Sequence, residues 1–115
     1  MMDVDDDEAL LEAVHDEYAR TILTHVSAEP LSGPELVEKT AASKPTVYRR
    51  LSDLEELGLV ATRIRPDADG HHAKVYVADV EAVHVWFEEG DVSVTVDRSA
   101  ADAVDRFTKL VNDLS

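Results

Sequence analysis

Ser43-Lys44-Pro45-Thr46-Val47-Tyr48-Arg49-Arg50-Leu51-Ser52-Asp53-Leu54-Glu55-Glu56-Leu57-Gly58-Leu59-Val60 is the stretch that decides the fold. Val47, Leu51, Leu54 and Leu57 recur at spacings of four, three and three, the signature of a helix with one apolar face. Ser43 is a good cap. Pro45 is tolerated because first-turn amides have no partner inside a helix. Gly58 is a left-handed stop, so the spacing predicts a helix over 44–57. At 100° per residue, Leu51 and Leu54 fall within about 40° of Val47, while Pro45, Arg49 and Ser52 lie on the opposite side. Thr46 and Tyr48 flank that outer face.

The chain on either side fits one plan. Upstream, Leu11, Val14, Tyr18, Ile22 and Val26 predict an amphipathic helix over 8–26, capped by Asp7 and ended by Ala28-Glu29-Pro30. Leu31-Ser32-Gly33-Pro34 opens a short helix to about Thr40, with Ser32 or Gly33 as cap and Leu36 and Val37 turned inward. Ala41-Ala42 is the turn before Ser43. Downstream of Gly58 the period changes from 3.6 to 2. Val60, Thr62 and Ile64 alternate with Ala61, Arg63 and Arg65. Pro66-Asp67-Ala68-Asp69-Gly70 is a turn, and Lys74-Val75-Tyr76-Val77 returns. A second hairpin follows at Val83–Val96, turning at Glu89-Gly90-Asp91. A last helix starts at Ser99, with Asp102 resembling a capping box and Ala103, Phe107, Leu110, Val111 and Leu114 as its stripe. Residues 1–7 read as a disordered acidic tail.

The chain has 115 residues, the size of one domain, with 44% hydrophobic content, too apolar for a disordered tail. The expected division is 1–7 tail, 8–78 DNA-binding segment, and 79–115 as hairpin and helix of the same domain. Absence of cysteine excludes disulfides and thiolate chemistry. No apolar run approaches a membrane span, and the start is acidic where a signal peptide is basic, so a soluble cytoplasmic protein without membrane contact is expected. The formal net charge is -14, with only four lysines. Hydrated carboxylates of this density suit a surface adapted to high salt. The charge is unevenly placed. Residues 41–76 hold six basic and five acidic residues, net +1, leaving -15 for the other 79.

Two helices joined by a tight turn, the second followed at once by a basic hairpin, describe a winged helix-turn-helix. The expected fold class is α+β, with an additional C-terminal β-hairpin and a C-terminal dimerisation helix. In this arrangement the second helix enters the major groove and the hairpin wing lies on the backbone or in the minor groove. Arg49 suits a bidentate contact to guanine. Thr46 and Tyr48 suit phosphate or a thymine methyl. Ser43 and Lys44 sit at a helix N-terminus that favours phosphate, and Arg50 is nearer the core boundary and suits backbone phosphate. On the wing, Arg63 and Arg65 share a strand face, turned away from a side that buries Thr62 and Ile64. Lys74 on the return strand is expected to join them, three cations on one surface. His71 and His72 at the tip suit the minor groove. As neighbours on a strand they point to opposite faces, which disfavours one shared ion.

The 43–60 stretch also resembles the recognition-helix signature of ArsR-type winged-helix regulators, S-x-P-T-V-x-x-x-L-x-x-L-x-x-x-G-L-V, a scheme shared by MarR, PadR and TrmB types. With its acidic composition the chain is similar to the small winged-helix regulators of haloarchaea. The resemblance implies a homodimer reading a pseudo-palindromic operator in double-stranded DNA. It assigns Lys44, Pro45, Thr46, Tyr48 and Arg49 to base and backbone reading, and Arg63, Arg65 and Lys74 to the wing. Glu35-Leu36-Val37-Glu38-Lys39-Thr40 lacks the cysteines of metal-sensing members, and residues 99–115 lack histidine. A metal response is therefore not expected, nor is any cofactor.

Leu11, Tyr18 and Ile22 on the first helix, with Phe107, Leu110 and Leu114 on the last, exceed the needs of one small core and are expected to dimerise. No histidine pair has ligand spacing, and no nucleophile-base set or phosphate-binding glycine loop is present, so no enzyme is expected. Two alternatives stay open. One is a winged helix that docks on transcription machinery without reading bases. The other is a ligand-gated sensor with its effector between the last hairpin and helix.

Overall fold

Asp16 divides the first helical segment in two. The computed structural model describes residues 4–98 and 100–114. Helix α1 runs Val4–His15 and α2 runs Glu17–Ala28. Asp16 sits between them in an extended conformation, and its side chain accepts from the Ala19 N–H at 2.8 Å. Arg20 closes the other side of the break: its Nη1 donates to the carbonyls of Val14 and His15 at 2.8 and 2.7 Å. Both the first amides of α2 and the last carbonyls of α1 thereby gain partners. The single helix expected over 8–26 is thus two helices, because the apolar period runs unbroken through a position whose side chain caps rather than continues. Residues 4–7, expected in a tail, belong to α1.

After Pro30 comes a two-residue strand, β1 (Leu31–Ser32), which no periodicity announces. Helix α3 (Gly33–Lys39) follows, with Ser32 and Glu35 in a reciprocal capping box. Helix α4 (Lys44–Glu56) is capped by Ser43 and buries Val47, Leu51 and Leu54. Leu57 closes it and Gly58 takes φ 75°, the left-handed stop. Strands β2 (Val60–Pro66) and β3 (His72–Ala78) form the wing, and β3 also pairs with β1, giving the antiparallel order β1-β3-β2. Ile22, Leu31, Leu36, Leu51, Leu54 and Leu59 are fully buried, and Leu10, Val60 and Val75 are nearly so, so every element of this segment supplies the core. Each such side chain contributes roughly 1.5–3 kcal/mol by leaving water.

The chain divides into two compact units between Ala78 and Asp79. The second unit is a hairpin of β4 (Ala82–Glu88) and β5 (Asp91–Asp97), followed by helix α5 (Ala100–Leu114). The expected cap at Ser99 and the side chains of Asp102 and Ala103 lie outside the described residues. Valines and Phe87 occupy one hairpin face, pairing Val83 with Val96, Val85 with Val94 and Phe87 with Val92. The other face pairs His84 with Thr95 and Trp86 with Ser93, and ends on Asp97. Asp97 is fully buried and holds two partners, Arg106 Nε at 2.6 Å and His84 Nε2 at 2.7 Å. Burial pushes its carboxyl up, but the Arg106 and His84 bonds outweigh this and the net shift is downward.

Candidate nucleic-acid interface

The outward face of α4 is set by its cap. Ser43 Oγ accepts from the Thr46 N–H at 3.4 Å and donates to Thr46 Oγ1 at 3.0 Å, which fixes the Thr46 hydroxyl at the first turn. Lys44 Nζ lies 6.0 Å from the Tyr48 ring centroid. The ring of Tyr48 in turn rests on Gly33 at the start of α3, and the side chain stays partly exposed. Pro45 and Arg49 are exposed. Among the described residues the Arg49 side chain has no hydrogen bond or ion pair. Lys44, Pro45, Thr46, Tyr48 and Arg49 therefore come together on one surface at the N-terminal half of α4, clear of the Val47-Leu51-Leu54 core stripe.

Two other arginines are engaged within the fold. Arg50 Nε donates to Asp16 at 2.9 Å, and its Nη1 lies 4.0 Å from Asp53. Arg65 Nη2 donates to Glu35 at 2.9 Å. Each receiving carboxylate also caps a helix: Asp16 takes the Ala19 N–H and Glu35 takes the Ser32 N–H at 2.8 Å. Burial pushes the Asp16 carboxyl up, but the bonds from Ala19 and Arg50 bring it below the usual range. The Ser32 N–H, then the Arg65 guanidinium, hold Glu35 low. Arg50 and Arg65, expected on phosphate, are thus joined to caps of α2 and α3. Their partners lie 34 and 30 residues away in sequence, beyond the reach of any local pattern.

The wing register separates the cations that sequence placed together. Ile64 pairs with Lys74, Arg63 with Val75 and Arg65 with Ala73. Residues directly opposite in an antiparallel pair share a face. Lys74 therefore sits on the Ile64 face, with its Nζ 5.4 Å from the Tyr76 ring centroid, and Arg63 and Arg65 are on the other. The face expected to bury Thr62 and Ile64 is open: Thr62 is exposed and Ile64 is 64% accessible. The β2–β3 arm projects beyond the core at this level, so alternation there no longer reports inside and outside. Arg63 is exposed and, among the described residues, without an ion pair. His71 and His72 are exposed at the tip, where the Asp67 N–H donates to the His71 carbonyl at 2.8 Å.

The residues expected to dimerise separate into two groups. Ile22 is fully buried within its own unit and serves the core, contrary to expectation. Leu11 is half-buried and Tyr18 partly exposed. On α5, Phe107 and Leu114 are 67% and 88% accessible, with Leu110 less so. Val111, already part of the helical stripe, and Val104, which the spacing did not single out, complete an exposed apolar stripe at spacings of three and four.

Residues 22–63, from within α2 through α4 into β2, match the IclR helix-turn-helix domain. An ArsR-like transcriptional regulator from Rhodococcus sp. RHA1 has a similar structure, with a TM-score of 0.55 and 17% identity over 97% of this chain and 84% of that one. No curated protein sequence matches the chain. The first likeness is to a helix-turn-helix domain and the second to a transcriptional regulator, and neither is to an enzyme. No helix among the described residues is long and apolar enough to cross a membrane. The fold is an α+β winged helix, within which residues 22–63 resemble a helix-turn-helix domain.

Proposed function

We propose that the protein is a sequence-specific, homodimeric transcription regulator that reads a pseudo-palindromic operator in double-stranded DNA, acting in the cytoplasm. The observation that carries the reading is Arg49, an exposed guanidinium without an internal partner among the described residues, on the same outward face of α4 as Thr46 and Tyr48. Arg49 contacts a guanine edge, Tyr48 and Thr46 contact phosphate or thymine, and Ser43 and Lys44 hold phosphate at the start of α4. The wing contributes Arg63 on one face and Lys74 on the other, with His71 and His72 at the tip in the minor groove. Arg50 and Arg65 act one step back, fixing α4 and the wing through Asp16 and Glu35.

The charge of -14 shapes the conditions of binding. At low salt the acidic exterior repels DNA, and the loss of that repulsion on screening opposes the usual fall of affinity with salt. Operator affinity is therefore retained at molar KCl, as suits a protein adapted to high salt. The α5 stripe meets its copy in the second protomer, so that two α4 helices address half-sites about one turn, roughly 34 Å, apart. Genome-wide mapping of bound DNA in cells tests the reading. A two-fold symmetric motif with half-sites one helical turn apart supports it. Association without a sequence motif favours the alternative, a winged helix docked on transcription machinery, to which the acidic surface and the two tethered arginines lend support.

A further inference from the structure

Helix α5 is turned so that its apolar stripe faces outward and its polar face meets the hairpin. Arg106, Lys109, Leu110 and Asp113, at spacings of three, one and three, line a cleft whose other wall is Trp86, Glu88, Ser93 and Thr95. Its volume is about 350 Å³, within the range of roughly 300–1,000 Å³ typical of small-molecule sites. Val104, Phe107 and Leu114 lie on the opposite, exposed side of the helix. Charged and hydroxyl side chains converge in the cleft instead.

The cleft is built with order. The fully buried Asp97 holds Arg106 by Nε, and the same carboxylate holds His84, whose ring stacks at 5.7 Å on Trp86. Trp86 is fixed a second time, since its Nε1–H donates to Thr95 Oγ1 at 2.8 Å. An aromatic wall and a guanidinium are thereby set in place before anything binds, as a recognition site requires. The charges are also polarised along the cleft. Arg106 is anchored at the hairpin base through Asp97, whereas Glu88 pairs with Asp91 beside the turn. Lys109 is three residues beyond Arg106 and Asp113 four beyond Lys109, so Arg106 and Asp113 are separated by a rise of about 10 Å. Arg106, held by Asp97, and Lys109 stand toward one end, Glu88 and Asp113 toward the other, and the Trp86 ring lies between them.

We infer that this cleft binds a small planar molecule carrying a carboxylate at one end and an ammonium at the other. The carboxylate meets Arg106 and Lys109, the ammonium meets Glu88 and Asp113, and the planar body lies against Trp86. A singly charged molecule leaves one pole of the cleft unmatched. The inference concerns the second unit alone and does not rest on the DNA-binding reading.

Trp86 is the only tryptophan in the chain, so its fluorescence reports on the cleft without a label. The probe is 4-(aminomethyl)benzoate, titrated into the full-length protein with excitation confined to tryptophan. 4-Methylbenzoate and 4-methylbenzylamine supply each charge separately. A saturable change with the doubly charged probe is expected, with each singly charged analogue weaker by about tenfold. Lys109→Met and Asp113→Asn, both at exposed positions, should each weaken the probe by about fivefold or more while leaving thermal unfolding unchanged. The inference is overturned by the absence of a saturable response at millimolar probe, by equal binding of all three compounds, or by unchanged affinity in the two variants.

Discussion

Gly33 at the start of α3 and Tyr48 on α4 touch so closely that a methyl group on Gly33 would lie 2.6 and 2.7 Å from the ring atoms Cζ and Cε1. The backbone of one helix is thus the seat for an outward-facing aromatic of the next. Gly33→Ala swings the far end of the Tyr48 ring aside and leaves the core of Leu36 and Leu51 in place. The expected result is weaker operator binding with thermal stability nearly unchanged, and no further loss when Gly33→Ala is added to Tyr48→Ala. Anisotropy titrations on the four members of that cycle measure it.

Arg50 and Arg65 should behave as structural residues. Arg50→Ala removes the Asp16 partner and lowers stability by about 1 kcal/mol, the scale of a partly exposed ion pair. The salt dependence of DNA binding should stay unchanged in Arg50→Ala and Arg65→Ala. In Arg63→Ala its slope should fall by about one, as expected when one phosphate contact is lost. Urea denaturation and affinity measured against KCl separate the two classes.

Asp16, Glu35 and Asp97 have carboxyls held below their usual range in the fold. A group lowered on folding stabilises the protein above its unfolded value. That contribution is lost as pH falls through the ordinary carboxylate range to the folded value, because the unfolded chain takes up protons first. Stability measured by urea at successive pH values should therefore decline below about pH 5. The decline should be shallower in Arg50→Ala and Arg65→Ala, where Asp16 and Glu35 return toward ordinary values.

The exposed α5 stripe should hold the dimer. Phe107→Glu and Leu114→Glu are expected to give monomers by sedimentation velocity, with the first unit still folded, whereas Tyr18→Ala should leave the dimer intact. Loss of the dimer should lower operator affinity far more than affinity for a single half-site.

Much of the first unit was legible because its signals are local. Ser43, Pro45 and Gly58 bound α4 within a residue of its observed ends, and the change of period after Gly58 marked the wing. The rest depended on partners distant in sequence. The break at Asp16 hides under an unbroken apolar period, and its sign is a pair of side chains, Asp16 and Arg20, that cap opposite helix ends. Lys74 is expected beside Arg63 and Arg65 from its place on the return strand alone, but the face it occupies is set by the register Ile64–Lys74, which the turn at 67–71 determines. The ties of Arg50 and Arg65 to Asp16 and Glu35 exist only in three dimensions. A charge count over residues 41–76 therefore overstated the cations available to a ligand. For α5, the helical stripe was readable, yet which face meets the hairpin was set by the buried Asp97, whose two partners no spacing reveals.

Arg49→Ala tests the major-groove reading most directly. The wild-type and variant proteins are titrated at molar KCl against the mapped operator and against copies carrying single base changes. Loss of about 1–3 kcal/mol on the operator, with discrimination relaxed at one base pair per half-site, is the expected result. Equal affinity of the two proteins for the operator, with discrimination intact, would contradict it.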